Sequence, residues 1–259
     1  MDVPFDVVAV IRTVTEVPGL VIPEFGITNF VGGGPGVFGG FGVLDIENNT
    51  CMHLHAVQTR NHKKYGSLID YYAQTVGGLS ERLKEISNHL IVDAYFSKHK
   101  FVDKIVKSGL QVISRLRDDS VLFYRYLGSK RKGRGRPKKF QGKVDVKHPD
   151  ENHFKLVHQS NEVKVYQGQV YSRPLKRWII VALVHNLNPD GEFKNSKIYF
   201  STDLTMTAMK ILKYYATRFQ IEFLYRDAKQ FTGLEHCQSR KEDRLDFHFN
   251  ASLTAVSLA

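Results

Sequence analysis

Apolar positions change their spacing along this chain, and the spacing marks the elements. "FGVLDIENNT" and "CMHLHAVQT" (41–59) alternate around Asn48 and Asn49, a pair that accepts left-handed backbone, and so predict a β-hairpin. "SLIDYYAQTVGGLSERLKEIS" (67–87) has helical spacing, with Gly77 and Gly78 expected to interrupt it. "HLIVDAYF" (89–96) is a short apolar run, predicted as a buried strand with Asp93 at its tip. "KHKFVDKIVKSG" (98–109) predicts a helix closing on Gly109, and "LQVISRL" (110–116) another strand. Strand, helix and strand in succession predict an α/β core with parallel neighbours.

The texture then shifts. "GSKRKGRGRPKKFQGK" (128–143) is polar, basic and rich in turn residues. After it "HFKLVHQ", "EVKVYQGQVYS", "RWIIVALVHNL" and "KIYFSTD" alternate like antiparallel strands, which predicts a β-rich insertion over 121–200. From Met206 the helical period returns, and "YYATRFQIEFLYRDAK" (214–229) reads as one helix. Before the hairpin, "VGGGPGVFGGFG" (31–42) is expected to be flexible or tightly turning.

Composition narrows the function. A net charge of +11 and a pI near 9.5 fit a polyanionic partner, nucleic acid before an anionic membrane surface, and fit equally a protein that is merely basic. Two cysteines, Cys51 and Cys237, make no disulfide framework and no Cys-x-x-Cys zinc pair. No apolar run reaches the roughly 20 residues that span a bilayer, so no membrane role is expected. The start lacks the features of a signal peptide, and the end runs into an apolar helical pattern without a stop signal, so a fragment is expected.

The 214–229 segment carries charges that an apolar helix needs a reason to hold. On a continuous helix at about 100° per residue, Tyr215, Arg218, Glu222, Arg226 and Lys229 share an arc of roughly 80°. Phe219 and Phe223 flank the stripe, and Ile221, Leu224 and Ala228 lie opposite. Two readings stand. The stripe is a row of i, i+4 ion pairs, each worth about 0.2–0.5 kcal/mol, or it faces a cleft. Asp93 is equally divided: a capping acid for the next segment, or a ligand-binding acid at the carboxyl end of a strand.

Taken together, these residues resemble a known family. Tyr215, Arg218, Glu222 and Lys229 match the Tyr-x2-Arg-x3-Glu-x6-Lys signature of the insertion-sequence DDE transposases. "LIVDAYFSKHKFVDKI" resembles the segment that carries their second catalytic Asp, here Asp93, while "SKIYFSTDL" and "FTGLEHCQSR" resemble the flanks of their signature helix. The likeness runs over about residues 41–259.

The resemblance implies an RNase H-like core divided by a β-rich antiparallel insertion. Residues 1–120 are the first part of the core, with 1–40 degenerate. Residues 121–200 are the basic insertion, and 201–259 the helical remainder. It implies Mg²⁺-dependent cleavage and transfer of DNA strands at insertion-sequence ends, with Mn²⁺ as a substitute. Asp93 and Glu222 would be catalytic metal ligands, and Tyr215, Arg218, Lys229 and Arg226 would contact DNA. The implied partners are double-stranded DNA, both transposon ends and target, and a second copy of the chain. The implied location is the cytoplasm of a bacterial or archaeal type of cell, at the nucleoid.

The departure is at the amino end. The family sets its first Asp at the tip of the first core strand, but "VVAVIRTVTEVPGLVIPEFGITNF" (7–30) has no Asp after its apolar run. Asp2, Asp6, Glu16 and Asp45 do not match the motif, so the first ligand is unassigned. A truncated or frame-disrupted copy is expected, short of one metal ligand and inactive. The alternative is a non-catalytic DNA-binding remnant.

"KRKGRGRPKK" (130–139) adds an AT-hook-like core in which Arg134 and Arg136 would enter a narrow A·T minor groove, unless it is a solvated basic turn. Three other features carry no function. "GPGVFG" lacks the strand-then-helix context of a nucleotide loop, His53 and His55 have no third ligand in view, and Trp178 is read as a packing residue.

Overall fold

The computed structural model describes residues 7–14, 38–58, 62–129, 137–239 and 241–259, with the backbone alone at 7–14, 62 and 63. In chain order the first elements are β1 (Val7–Val14), β2 (Phe38–Asp45), β3 (Thr50–Gln58), α1 (Leu68–Ile86), β4 (His89–Val92), α2 (His99–Lys107) and β5 (Gln111–Arg115). Next come strands β6 (Leu122–Arg125), β7 (Phe140–Lys143), β8 (Phe154–Gln159), β9 (Val163–Ser172), β10 (Arg177–Leu187) and β11 (Phe193–Ser201). The last elements are α3 (Ala208–Thr217), α4 (Gln220–Phe231) and α5 (Glu242–Leu258). This mixed α/β chain divides into two units. Unit 1 holds Met1–Val92, Lys107–Leu110 and Ala216–Ala259, and unit 2 holds Asp93–Val106 and Gln111–Tyr215. Among the described residues no helix is long and apolar enough to cross a membrane.

In unit 1 the strands lie in the order β3-β2-β1-β4. β1 runs antiparallel to β2 along its whole length, from Val7 opposite Asp45 to Val14 opposite Phe38, and parallel to β4, with Ile11 opposite Val92. The predicted hairpin is present. Its turn is closed by the Asp45 carboxylate, which accepts from the N–H groups of Glu47 and Asn48 at 3.0 Å each, and Asn49 takes the left-handed position at φ 54°. The same hydrogen bonds, those from Asn48 first, hold the Asp45 carboxyl below the usual carboxylate range.

Two glycine expectations are corrected. Helix α1 passes without a break through Gly77 and Gly78. It is anchored by a capping box, in which Ser67 Oγ accepts the Asp70 N–H at 3.2 Å and the Asp70 carboxylate accepts the Ser67 N–H at 3.3 Å. Both glycines are exposed, and a Cβ at either would meet nothing. The second correction concerns Phe38–Gly42, the described part of the glycine-rich stretch, which is strand, not flexible turn. Consecutive strand residues face opposite sides of a sheet. Gly39 therefore opens a notch on one face, filled by Tyr72 of α1, and Gly40 a notch on the other, filled by Tyr225 of α4. Phe41 contacts Tyr72 on the first face, and Phe38 stacks on Phe249 of α5 on the second, with centroids 3.6 Å apart.

α5 also covers the outer edge of β3. The Asn250 carboxamide accepts the Ala56 N–H at 2.9 Å and donates to the Ala56 carbonyl at 3.1 Å, as a neighbouring strand would. Ser257 Oγ accepts the His53 N–H at 2.8 Å. His53 Nε2 lies 3.0 Å from Asn250 Oδ1, and burial holds its pKa below the usual histidine range, so it is a structural histidine.

Unit 2 is an antiparallel sheet in the order β5-β11-β10-β9-β6-β7. β9 is paired by β6 over Val170–Ser172 and by β8 over Lys164–Gly168. Central β10 is buried from Ile179 to Val184, which explains its continuous apolar run. β8 to β11 match the predicted strands. β6 and β7 were not foreseen, because they are short and flank a basic segment whose composition signals only turns. Trp178 packs edge-on to Tyr171 at 5.6 Å, in keeping with its expected packing role.

His185 of β10 is buried, its Nε2–H donating to the Val146 carbonyl at 2.7 Å between the rings of Tyr166 and Phe193. Burial lowers its pKa, and Lys164 and His148 add to the effect. A histidine held neutral in the fold gains a proton on unfolding below pH 6.5, its unperturbed value, so acid favours the unfolded chain there.

These environments can be probed by substitution. Gly77→Ala and Gly78→Ala should each stabilise unit 1 by about 0.5–1 kcal/mol in urea titrations, whereas Gly39→Ala or Gly40→Ala should cost about 1–3 kcal/mol by overpacking a tyrosine. Stability should fall as pH drops below 6.5, and His185→Gln should flatten that slope.

Candidate active site and DNA-contacting residues

Asp93 comes directly after the last residue of β4 and opens unit 2. Its carboxylate accepts the Ala94 N–H at 2.6 Å and so caps the 3₁₀ turn Ala94–Phe96. The capping reading of this acid is therefore realised, without consuming all of its lone pairs. The turn is fastened to β5. Ser114 Oγ donates to the Asp93 carbonyl at 3.2 Å, and the Ser97 hydroxyl lies 2.8 Å from both Ser114 Oγ and the Arg115 carbonyl. Phe96 is buried against Phe101 at 5.0 Å and holds the turn down from below.

Tyr215, near the end of α3, reaches the same end of β5 by another route. Its ring lies 5.0 Å from that of Tyr199, and Tyr199 is paired across the sheet with Arg115. Unit 2 thus gathers Asp93 and Tyr215 around the carboxyl end of one strand. The pattern gave no signal for Tyr199. Arg115 had one, since it ends a short apolar strand, much as Asp93 directly follows one.

The helix expected over 214–229 is two helices. α3 stops at Thr217 and α4 starts at Gln220. At the junction Phe219, Ile221 and Glu222 donate to the carbonyls of Ala216, Arg218 and Phe219, each three residues back, so the α ladder tightens into a 3₁₀ step. The arc expected of a continuous helix does not carry across it. Within α4 the buried face is Ile221, Leu224, Tyr225 and Ala228, while Phe219 and Phe223 are exposed and meet edge-on at 5.4 Å. The segment is therefore buried on one face, not on most sides.

Glu222, Arg226 and Lys229 recur at i, i+4 and i+7, on one face of α4 in unit 1. Glu222 is partly buried in the first turn. Lys229 Nζ lies 3.3 Å from Glu235, and Arg226 pairs with Asp227 at 2.9 Å while its guanidinium sits 4.7 Å from the Phe223 ring centroid. Arg218 stands in the junction. Asp93 and Tyr215 thus belong to unit 2, and Arg218, Glu222, Arg226 and Lys229 to unit 1. Arg134 and Arg136 lie outside the described residues, as do Asp2, Asp6 and Glu16. An open cleft of about 570 Å³ in unit 1 is lined by His55, Gln58, Tyr71, Glu242 and Asp246 among others, and by none of the candidate site residues.

The family model of the transposase DDE domain matches residues 52–258. The chain belongs to the DDE transposase family. No curated protein matches it. The match takes in Asp93, all four signature residues and both of the helices that carry them. DDE transposases are catalytic, act in DNA transposition, and have an RNase H-like fold. They generally use a divalent metal.

Because the Asp93 carboxylate caps its own turn, a substitution there has a structural cost as well. Asp93→Ala should destabilise the chain by about 1 kcal/mol in urea titrations, whereas Asp93→Asn, which keeps an acceptor oxygen, should cost less than half of that.

Proposed function

We propose that this transposase domain is of the Y-R-E-K kind, fitted to cleave and transfer DNA strands at insertion-sequence ends, in a copy whose metal site lacks its first ligand and which is inactive as it stands. Asp93 and Glu222 are the two ligands that remain. Tyr215, Arg218, Arg226 and Lys229, with Arg134 and Arg136, are the DNA contacts, and residues 121–200 are an insertion in the RNase H-like core. The antiparallel pairing of β6 to β11 and the positive charge support that division. A second copy on paired DNA ends, and Mg²⁺ with Mn²⁺ as substitute, complete the reading.

One observation carries it. β1 is parallel to β4, and Ile11 is level with Val92, the residue before Asp93. The first acid of a DDE site is expected level with Asp93, and the residue of β1 that follows Ile11 is Arg12, two residues before the strand ends at Val14. Among the described residues no three carboxylate, imidazole or thiolate groups stand close enough to share a metal ion. The described residues thus hold no group of three such ligands, which supports the reading, since two Mg²⁺ ions require a three-carboxylate set.

Mn²⁺ titration of the folded chain, followed by electron paramagnetic resonance, tests this reading. The native chain should bind weakly. Arg12→Asp should tighten binding by at least about tenfold, and Glu222→Gln or Asp93→Asn should reverse the gain. Tight Mn²⁺ binding by the native chain, or no gain in Arg12→Asp, overturns the reading.

A further inference from the structure

At the carboxyl end of β5 a guanidinium stands in a setting that the fold does not need. Arg115 Nη2 bonds Asp118 at 3.0 and 3.3 Å to the two carboxylate oxygens, and the side chains are 32% and 58% exposed. A pair this open contributes at most about 1 kcal/mol to stability. Arg115 Nε is buried and has no hydrogen-bond partner. Two phenols accompany it. Tyr199 is its direct cross-strand neighbour, Tyr215 lies against Tyr199, and both are within electrostatic reach of the guanidinium. The carbonyl of Arg115 is tied through Ser97 to the turn that Asp93 caps.

A guanidinium presents five N–H donors in a planar fork that matches two oxygens of a phosphate, and phenolic O–H groups donate to the same oxygens. The protein supplies an arginine only partly engaged by an exposed acid and two phenols beside it, on a chain whose net charge is +11.

We propose that Arg115, flanked by Tyr199 and Tyr215, is a binding site for one backbone phosphate of DNA beside the Asp93 turn. The site rests on the reading of the chain as a transposase domain, and it adds Arg115 and Tyr199 to the residues that hold the substrate. Asp118 keeps the fork ordered while DNA is absent. When the phosphate arrives, its charge competes with that of Asp118 for the same donors. Loss of the Asp118 charge therefore favours the bound state.

Binding of a short mixed-sequence DNA duplex, followed by fluorescence anisotropy in EDTA over a range of salt concentrations, tests the proposal. Arg115→Ala should weaken binding by roughly tenfold and reduce the slope of log K against log salt by about one. Arg115→Lys keeps the charge and should keep the slope. Asp118→Asn keeps an acceptor for Arg115 but removes the competing charge, and should tighten binding about two- to threefold. A purely structural Arg115–Asp118 pair predicts the opposite for the last variant, with Arg115→Ala and Asp118→Asn losing affinity alike. That result, or unchanged affinity and slope in Arg115→Ala, overturns the proposal. Because no metal is present, this outcome is independent of whether position 12 completes the metal site.

Discussion

Two adjacent glycines on β2 set the terms for the whole of unit 1. A strand that presents no side chain on either face at the same point can take a large ring from each side. Gly39 admits Tyr72 and Gly40 admits Tyr225, so α1 and α4 dock on opposite faces of one strand. The closeness of approach leaves no room for even a methyl group at either position. α4 is the helix that carries Glu222, Arg226 and Lys229. The position of a candidate catalytic acid is thereby fixed through the absence of a side chain on a strand far from it in sequence. Close packing of this kind tolerates little adjustment, which suits a site whose ligands must be held within fractions of an ångström.

Unit 2 solves a different problem with polar groups. The turn that begins at Asp93 is held by its own carboxylate, by Ser97 and by Ser114, all short side chains with little entropy to lose. Arg115 and Tyr199 bring Tyr215 to the same place. Positioning here is directional, through hydrogen bonds, where in unit 1 it is steric. A DDE transposase needs both, since carboxylates must be aimed and the scaffold must not yield when a highly charged duplex is bound.

Much of this was legible in the residues. Asn48 and Asn49 announced the hairpin because few residues enter the left-handed region cheaply, and Gly109 announced the end of α2 for the same reason. The four signature residues gave the family because their spacing is specific. The failures share a cause. "VGGGPGVFGGFG" reads as a turn because glycine favours turns locally, and only Tyr72 and Tyr225, distant in sequence, explain why Phe38–Gly42 is strand. Gly77 and Gly78 read as breaks, but the capping box and the buried face of α1 outweigh roughly 1 kcal/mol of propensity at each. The division of 214–229 at Arg218 had no sequence signal either, since every residue there tolerates a helix.

Asn250 carries a consequence beyond the fold of a single chain. Its carboxamide occupies the two backbone groups of Ala56 that a further strand would seek, and Ser257 takes the N–H of His53. Were α5 to lift away, β3 would become an open template with Met52 and Leu54 already facing solvent, and a second molecule could extend the sheet. Through these bonds α5 closes the edge of β3 to strand pairing by another molecule.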